Sequence, residues 1–407
     1  MTLQNSSNDL APLVSSSCNI AVIGATGSIG TSALDVIDKS QGRLRASVLA
    51  VNRSVEKVVE LAIRFKPDFV VINDVDADRT ALSRMPDDVE VLFGPDALDA
   101  VVRRPEISVV LLSIVGVAGL RCALSAAAAG KTLALANKEA LVAGGSLLLD
   151  LLKKSGGRLL PVDSEHSAIY QCLLTRCATP QIPHIASDDV SRLVLTASGG
   201  PFRTWNPERL KSVTVEDALR HPTWDMGAKV TIDSATMMNK ALEIIEAKWL
   251  FGLDADKIRV VIHPQSIVHS MVEFVDGAVI AQLSPPDMRL PIQFALYETE
   301  RFPGPTQKFD WTKTLTLDFE PPDFERFPAL KLGFEVAKMG GTSGVVFNAA
   351  NEVAVAAFMN GRLSFDKIPS LCRKTLESHN FDASPDLNKI LELDSWARKE
   401  TEKWISR

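Results

Sequence analysis

Cysteine is scarce and poorly spaced for bridging: Cys18, Cys122, Cys172, Cys177 and Cys372 are odd in number among 407 residues and include no CxxC pair. That argues against a disulfide framework or a zinc knot and points to a reducing compartment, the cytoplasm. There is no long basic block, and the net charge of −6 has the wrong sign for a nucleic-acid binder, so no nucleic-acid partner is expected. No uninterrupted apolar run reaches the roughly 18 residues that a membrane span requires. The nearest, Ser108 to Leu120, reads as a buried parallel strand running into a glycine turn, and no membrane partner is expected. Residues 1–18 lack a basic n-region, an apolar h-region and arginines, so they match neither a signal nor a transit peptide and read as a disordered tail.

What is present supports sizeable cores: 46% of the residues are hydrophobic, enough for two or three domains. From Asn19, short apolar runs at 19–25, 46–52, 69–74, 90–94, 108–116 and 132–137 alternate with helical patterns. That alternation predicts an α/β fold, a Rossmann-like doubly wound parallel sheet over 19–162. Residues 163–297 mix strands with a strong helix near 235–251, which predicts an α+β domain with a partly antiparallel sheet. A proline-dense stretch, 298–325, reads as a linker, and 326–407 closes the chain as a helical domain.

"GATGSIG", Gly24 to Gly30, follows a strand and opens a helix, the context of a dinucleotide turn, with the spacing G-x-x-G-x-x-G. Glycines admit a pyrophosphate, and the helix start through Thr26, Gly27, Ser28 and Ile29 supplies N–H donors. At the end of the second strand, where an NAD binder carries an acid, stand Asn52, Arg53 and Ser54. They suit a 2′-phosphate and favour NADP; the plainer reading makes Arg53 a solvated loop residue.

In "PVDSEHSA", Asp163 and Glu165 point to one side if residues 158–165 are extended. Two carboxylates beside a nucleotide domain suit a hard cation such as Mg²⁺ or Mn²⁺. The helix expected over 233–250 presents Asn239, Glu243 and Glu246 as one polar stripe, with Lys240 close by, and an ordinary solvent face competes with a site. The weakly periodic stretch 221–240 holds His221, Trp224, Met226 and Gly227, a lid or a plain surface hairpin, followed by Thr231, Ser234 and Thr236. Ser198 precedes two glycines in a turn suited to phosphate. "LANKEAL" puts Asn137, Lys138 and Glu139 at a strand's C-terminal end, where Lys138 polarises a carbonyl or Asn137 simply caps a helix. His263 and His269 read as metal ligands or as structural residues.

Taken in order, "GATGSIG", "LANKEAL", "VDSEHSAIYQCL", "TASGGPF", "HPTWDMGAKVTIDSATMMNKALE" and "HPQSIVHSMVEF" resemble the 1-deoxy-D-xylulose 5-phosphate reductoisomerase family over about residues 19–395. The resemblance implies conversion of that phosphorylated sugar to 2-C-methyl-D-erythritol 4-phosphate by retro-aldol and aldol steps and reduction, with NADPH and one divalent cation, Mg²⁺, Mn²⁺ or Co²⁺. It implies Asp163, Glu165 and Glu243 as metal ligands. Ser198, His221, Ser234, Asn239 and Lys240 would receive the phosphate, and Lys138 and Ser164 the reacting oxygens. Thr26 to Ile29, Asn52 to Ser54, Asn137, Glu139 and Gly227 would line the NADPH site, under a flap of Trp224 and Met226, in a homodimer. Ala25 stands where the family commonly has Ser, and Ala241 where it usually has Gly. Two other readings compete: a semialdehyde dehydrogenase, needing an activated Cys with a His partner, and a non-catalytic NADP-sensing regulator.

Overall fold

A computed structural model describes residues 17–174, 188–297 and 300–406. Of the expected tail, residues 1–16 lie outside the described residues, and Cys18 already opens the first strand. The chain begins with β1 (Cys18–Ile23), α1 (Ser28–Asp38), β2 (Leu44–Val51), α2 (Val55–Phe65) and β3 (Phe69–Ile72). It continues through β4 (Glu90–Phe93), α3 (Pro95–Val102), β5 (Val109–Leu112) and α4 (Leu120–Ala128). Then come β6 (Thr132–Leu135), α5 (Lys138–Ser155), β7 (Arg158–Pro161) and α6 (Ser164–Leu173).

These strands form one parallel sheet in the order β4-β3-β2-β1-β5-β6-β7. Helices cover both faces, which is why β3, β5 and β6 are buried along their whole length and read as continuous apolar runs. The strand order reverses between β1 and β5, opening a crevice at the strands' C-terminal ends. Gly24 leaves β1 there at φ +94, and a Cβ would sit 2.7 Å from Ser113 Oγ, so both conformation and space require glycine.

The second part comprises β8 (Val190–Ala197), α7 (Val215–Leu219), α8 (Ala228–Ala235), α9 (Met238–Phe251), β9 (Ile258–Ile262), β10 (Val268–Phe274), β11 (Val279–Leu283) and α10 (Arg289–Leu296). Its sheet runs β11-β10-β8-β9, with β8 parallel to β9 and β10 antiparallel to both of its neighbours, the partly antiparallel pattern expected. Residues 300–325 hold no helix or strand, only a bridge from Glu320 to Ile262. The chain then folds into α11 (Ala329–Met339), α12 (Ser343–Met359), α13 (Ile368–Ser378) and α14 (Leu387–Ile405).

These last helices rest on the helices that carry the polar motifs: α12 packs on α5, and α11 on α9. The α9–α11 crossing is close, since a Cβ on Gly333 would lie 2.6 Å from Ala241 Cα and 2.8 Å from its Cβ. Ala241, the departure from the family pattern, is thus met by a glycine on the opposing helix.

Two local expectations are corrected. The extended run does not reach 165: β7 stops at Pro161, Asp163 takes the position before α6, and Glu165 lies in that helix's first turn. The two carboxylates share a side because a helix starts there. The helix expected over 233–250 is two helices, α8 and α9, broken where Met237 adopts φ +61. Much of the stretch read as weakly periodic is therefore α8.

Candidate active site

Three sequence-distant helix starts converge beyond the crevice. After β6, the Asn137 side-chain oxygen accepts the Ala140 N–H at 2.6 Å, while its Nδ2 donates to the carbonyls of Ile114 and, at 2.9 Å, Gly116. Asn137 is thus the cap that holds Lys138 at the mouth of α5. Asp163 occupies the equivalent place before α6 without capping it, which leaves its carboxylate for other partners. The Met237 turn then aims the first two turns of α9, with Asn239, Lys240 and Glu243, at the same point.

One oxygen each from Asp163, Glu165 and Glu243 lie within 4.8 Å of one another. Lys138 Nζ stands 3.0 Å from Asn239 Oδ1 and 3.3 Å from Glu243 Oε1, and pairs with Asp163. Lys240 Nζ donates to Glu165 at 2.6 Å and pairs with Glu243, and Ser164 donates to Glu165 at 2.6 Å. Burial raises the Glu243 carboxyl to about 7, reinforced by the charge of Glu165. Burial acts on Asp163 in the same direction, but Lys138 and His166 prevail and hold it at about 2. Three carboxylates face two ammonium groups. An oxygen-only donor set with a spare negative charge fits a hard divalent cation.

The stripe on α9 is not a solvent face, because Glu243 and Glu246 are both buried. Behind the carboxylates, His166 Nε2 donates to the Glu243 carbonyl at 2.9 Å, and Nδ1 lies 3.2 Å from Glu246 Oε2. Burial lowers the imidazole to about 4 and lifts Glu246 far above the usual carboxylate range. The His166 bond to the Glu243 carbonyl ties α6 to α9. The "DSEH" motif displayed this histidine, but its partner on another helix was not readable from the sequence.

A cavity of about 550 Å³ opens over this cluster, within the range of small-molecule sites. Ser28 and Ile29 from the glycine turn, Lys138, Asp163, Ser164 and Glu165 line it, as do Ser198, His221, Trp224, Met226, Gly227, Ser234, Asn239 and Lys240. Glu243 lies just behind, reached through the two lysines. The turn at Ser198 uses Gly199 at φ +84 and Gly200 at φ +68, and a Cβ on Gly200 would meet the Ser234 carbonyl at 2.8 Å, so the turn presses against α8. His221 Nδ1 accepts the Thr223 and Trp224 N–H groups at 3.1 and 2.9 Å, leaving Nε2 to donate to Ser198 at 3.0 Å.

Other expected residues sit elsewhere. Thr26, Gly27, Asn52, Arg53, Ser54, Asn137 and Glu139 do not line the cavity. The Arg53 side chain is 73% exposed and pairs with Asp74, and Glu139 is buried against Lys229. His263 is structural: its Nε2 accepts the Ile267 and Val268 N–H groups at 3.1 Å and its Nδ1 donates to the Asp318 carbonyl at 2.8 Å. His269 bonds Ser284 and borders the cavity. Cys122 and Cys172 are buried, and burial pushes both thiols up to about 12, the opposite of an activated nucleophile. Cys177 lies outside the described residues. The sequence reading missed the wall formed by Asp287, Met288 and Arg289. Arg289 forks onto Asp287 at 2.7–3.0 Å and reaches Asp35 of α1 at 2.8 Å, a pairing no local motif announces.

The class defined is a Rossmann-type enzyme whose α+β part brings a carboxylate–lysine cluster to the open edge of the parallel sheet. Comparison with known proteins narrows it. Residues 20–145 match the family described as 1-deoxy-D-xylulose 5-phosphate reductoisomerase, and residues 159–251 and 283–400 match its two C-terminal domain families. The reductoisomerase of Pelodictyon phaeoclathratiforme is 48% identical over 95% of this chain and 100% of its own, and that of Rhodopirellula baltica 46% identical over 93% of both. Among solved structures, the Zymomonas mobilis reductoisomerase in complex with NADPH superposes with a TM-score of 0.88 at 41% identity, covering 96% of this chain and 99% of that one. A DOX-P reductoisomerase in complex with NADPH, fosmidomycin and magnesium gives 0.87 at 38%, covering 96% and 98%. The chain belongs to the 1-deoxy-D-xylulose 5-phosphate reductoisomerase family.

Proposed function

We infer that this chain rearranges and reduces 1-deoxy-D-xylulose 5-phosphate to 2-C-methyl-D-erythritol 4-phosphate in the non-mevalonate route to isoprenoid precursors, using NADPH and one divalent cation. The observation that carries this reading is a single cavity in which the glycine turn, the oxygens of Asp163 and Glu165 with Glu243 behind, and the Ser198–His221–Ser234 wall all meet.

In this reading Asp163, Glu165 and Glu243 hold the cation. When bound, the cation supplies a Lewis acid for the substrate's carbonyl and hydroxyl oxygens, and NADPH supplies the hydride. Lys138 and Ser164 orient those oxygens and donate to charge developing on them. Ser198, His221, Ser234, Asn239 and Lys240 take the phosphate at a distance from the reacting carbons, so its binding energy is available for orientation and for closing Trp224 and Met226 over the cavity. The residues from Thr26 to Ile29, with Asn52, Arg53, Ser54, Asn137, Glu139 and Gly227, serve the coenzyme. Several act through backbone N–H groups or, like Asn137, by shaping the loop. The three-domain division, 19–162, 163–297 and 326–407 around the 298–325 linker, belongs to the same reading, as do a homodimer and a cytoplasmic location. Among the described residues no helix is long and apolar enough to cross a membrane.

The test is absorbance at the reduced-nicotinamide band in a mixture of chelator-treated protein, 1-deoxy-D-xylulose 5-phosphate and NADPH, before and after adding Mg²⁺ or Mn²⁺. Cation-dependent oxidation is expected. Bound NADPH with no oxidation under any of these cations would overturn the reading in favour of a regulator.

A further inference from the structure

Behind the cavity wall lies a buried polar network centred on Lys229, a residue to which the reading above gives no role, although it assigns Glu139, one of its partners, to the coenzyme side. Lys229 Nζ stands 2.9 Å from Glu139 Oε1 and 2.9 Å from Asp233 Oδ2, and Asn351 Nδ2 donates to Asp233 Oδ1 at 2.9 Å. Glu139, Asp233 and Asn351 are each less than 9% exposed. The three elements involved are α5, α8 and α12, one from each part of the fold.

The register of α8 gives this placement meaning. Val230 and Ser234, four residues apart, share one face and line the cavity. Lys229 and Asp233, one position earlier and also four apart, share the neighbouring face and enter the network. On α5 the same division separates Lys138, which lines the cavity, from Glu139, which joins Lys229. The stretch bearing His221, Trp224 and Met226 ends at Gly227, and the Thr231 hydroxyl bonds the Gly227 carbonyl at 3.0 Å, so the root of that stretch is tied to α8. A hinged segment can transmit closure only if its root is fixed, and the lysine between the two buried carboxylates offsets their mutual repulsion.

We propose that Lys229 is a positioning residue: it links α8, with Ser234 and the root of the 221–227 flap, to α5, with Lys138, so that phosphate contact and flap closure register against the reacting end. Asp233 and Asn351 anchor the arrangement to the C-terminal helices. Lys229 touches no substrate. This inference rests on the proposed reaction, and the test separates the two.

Steady-state kinetics of the full chain with 1-deoxy-D-xylulose 5-phosphate, NADPH and Mg²⁺ at 25 °C are compared for wild type, Lys229→Met and Lys229→Arg, alongside thermal midpoints and NADPH affinity. Expected for Lys229→Met is a KM for the phosphorylated sugar raised about tenfold and a kcat lowered about tenfold, within the ~10–100-fold range for residues that orient a site. NADPH affinity should stay within about threefold by the same reasoning, and Lys229→Arg, keeping the charge, should recover most of the loss. A lowered midpoint with KM and kcat within about threefold of wild type would mean a purely structural cation and overturn the proposal. If Lys229→Met does not fold, Asn351→Ala decides: a KM raised by more than about threefold supports the link, and KM and kcat within about threefold of wild type sink it. An inactive wild type removes the reaction assignment instead.

Discussion

Two edges of the cavity, the glycine turn that we assign to the coenzyme and the carboxylate–lysine cluster that we assign to the chemistry, are built in opposite ways. At the first, a parallel sheet buried on both faces ends in Gly24 and a helix start, so what it offers is mostly backbone, shaped by residues within one β-turn-α unit. At the second, no short segment is sufficient: Lys138 meets Asn239 and Glu243 across 101 and 105 residues, and Lys240 meets Glu165 across 75. Backbone recognition tolerates side-chain change, whereas a cluster of charges depends on every member, because removing one leaves its partners buried and unpaired.

Breaking the chemical edge should have the largest effect. Glu243→Gln is expected to lower turnover by more than about 100-fold, beyond the ~10–100-fold cost of losing a residue that only orients a ligand. NADPH binding, followed by coenzyme fluorescence, should stay close to wild type. Wild-type-like turnover would remove Glu243 from the site.

Next in size is a change outside the cavity. Gly333→Ala drives a methyl into the backbone of α9 at Ala241, and overpacking of this kind costs about 1–3 kcal/mol. A lowered thermal midpoint together with lowered turnover would show that α11 positions the helix bearing Glu243. An unchanged midpoint would mean that the two helices separate freely.

At the coenzyme edge the effects should be milder. Arg53→Ala is expected to weaken NADPH about tenfold, close to the ~1.4 kcal/mol that a tenfold change represents, while leaving NADH unaffected. Equal changes for the two coenzymes would return Arg53 to the role of a solvated residue paired with Asp74.

The smallest effect concerns the wall between the two edges. Burial raises the Asp287 carboxyl, but hydrogen bonds from Arg289 more than offset this and leave it below its usual value. A depressed carboxyl stabilises the fold above the unfolded value of about 3.9, and that contribution is lost as pH falls through the lower folded value. Arg289→Leu should therefore flatten the decline in stability below about pH 4, by no more than the ~1 kcal/mol of partly exposed pairs. Chemical denaturation across that pH range measures it, and parallel curves for the two proteins would rule it out.

Some of the chemical edge is legible in the sequence. Asp163 and Glu165 stand out by proximity, and the apolar run Leu159–Val162, which continues into them, favours a strand there. The helix start that really aligns them was signalled by Asp163 followed by Ser164 and an acid in the first turn. The sequence shows the right residues in the α9 stripe but leaves its surroundings undecided, and the structure buries Glu243 and Glu246. Periodicity shows which residues share a face; whether that face meets water or α6 depends on what packs there. The break at Met237 had no warning, since a methionine at positive φ has no sequence signature.

The sequence alone determined the alternation of strand and helix, the glycine turn, the residue types able to hold a cation and a phosphate, and the family resemblance. These rest on local rules of periodicity, turn chemistry and side-chain type. Only the tertiary structure decided that Glu243 sits behind two lysines, that Glu139 pairs with Lys229, and that α8 shows one face to the cavity and its neighbour to the buried network. Such choices depend on desolvation and charge pairing between residues about a hundred positions apart, which no window along the chain contains.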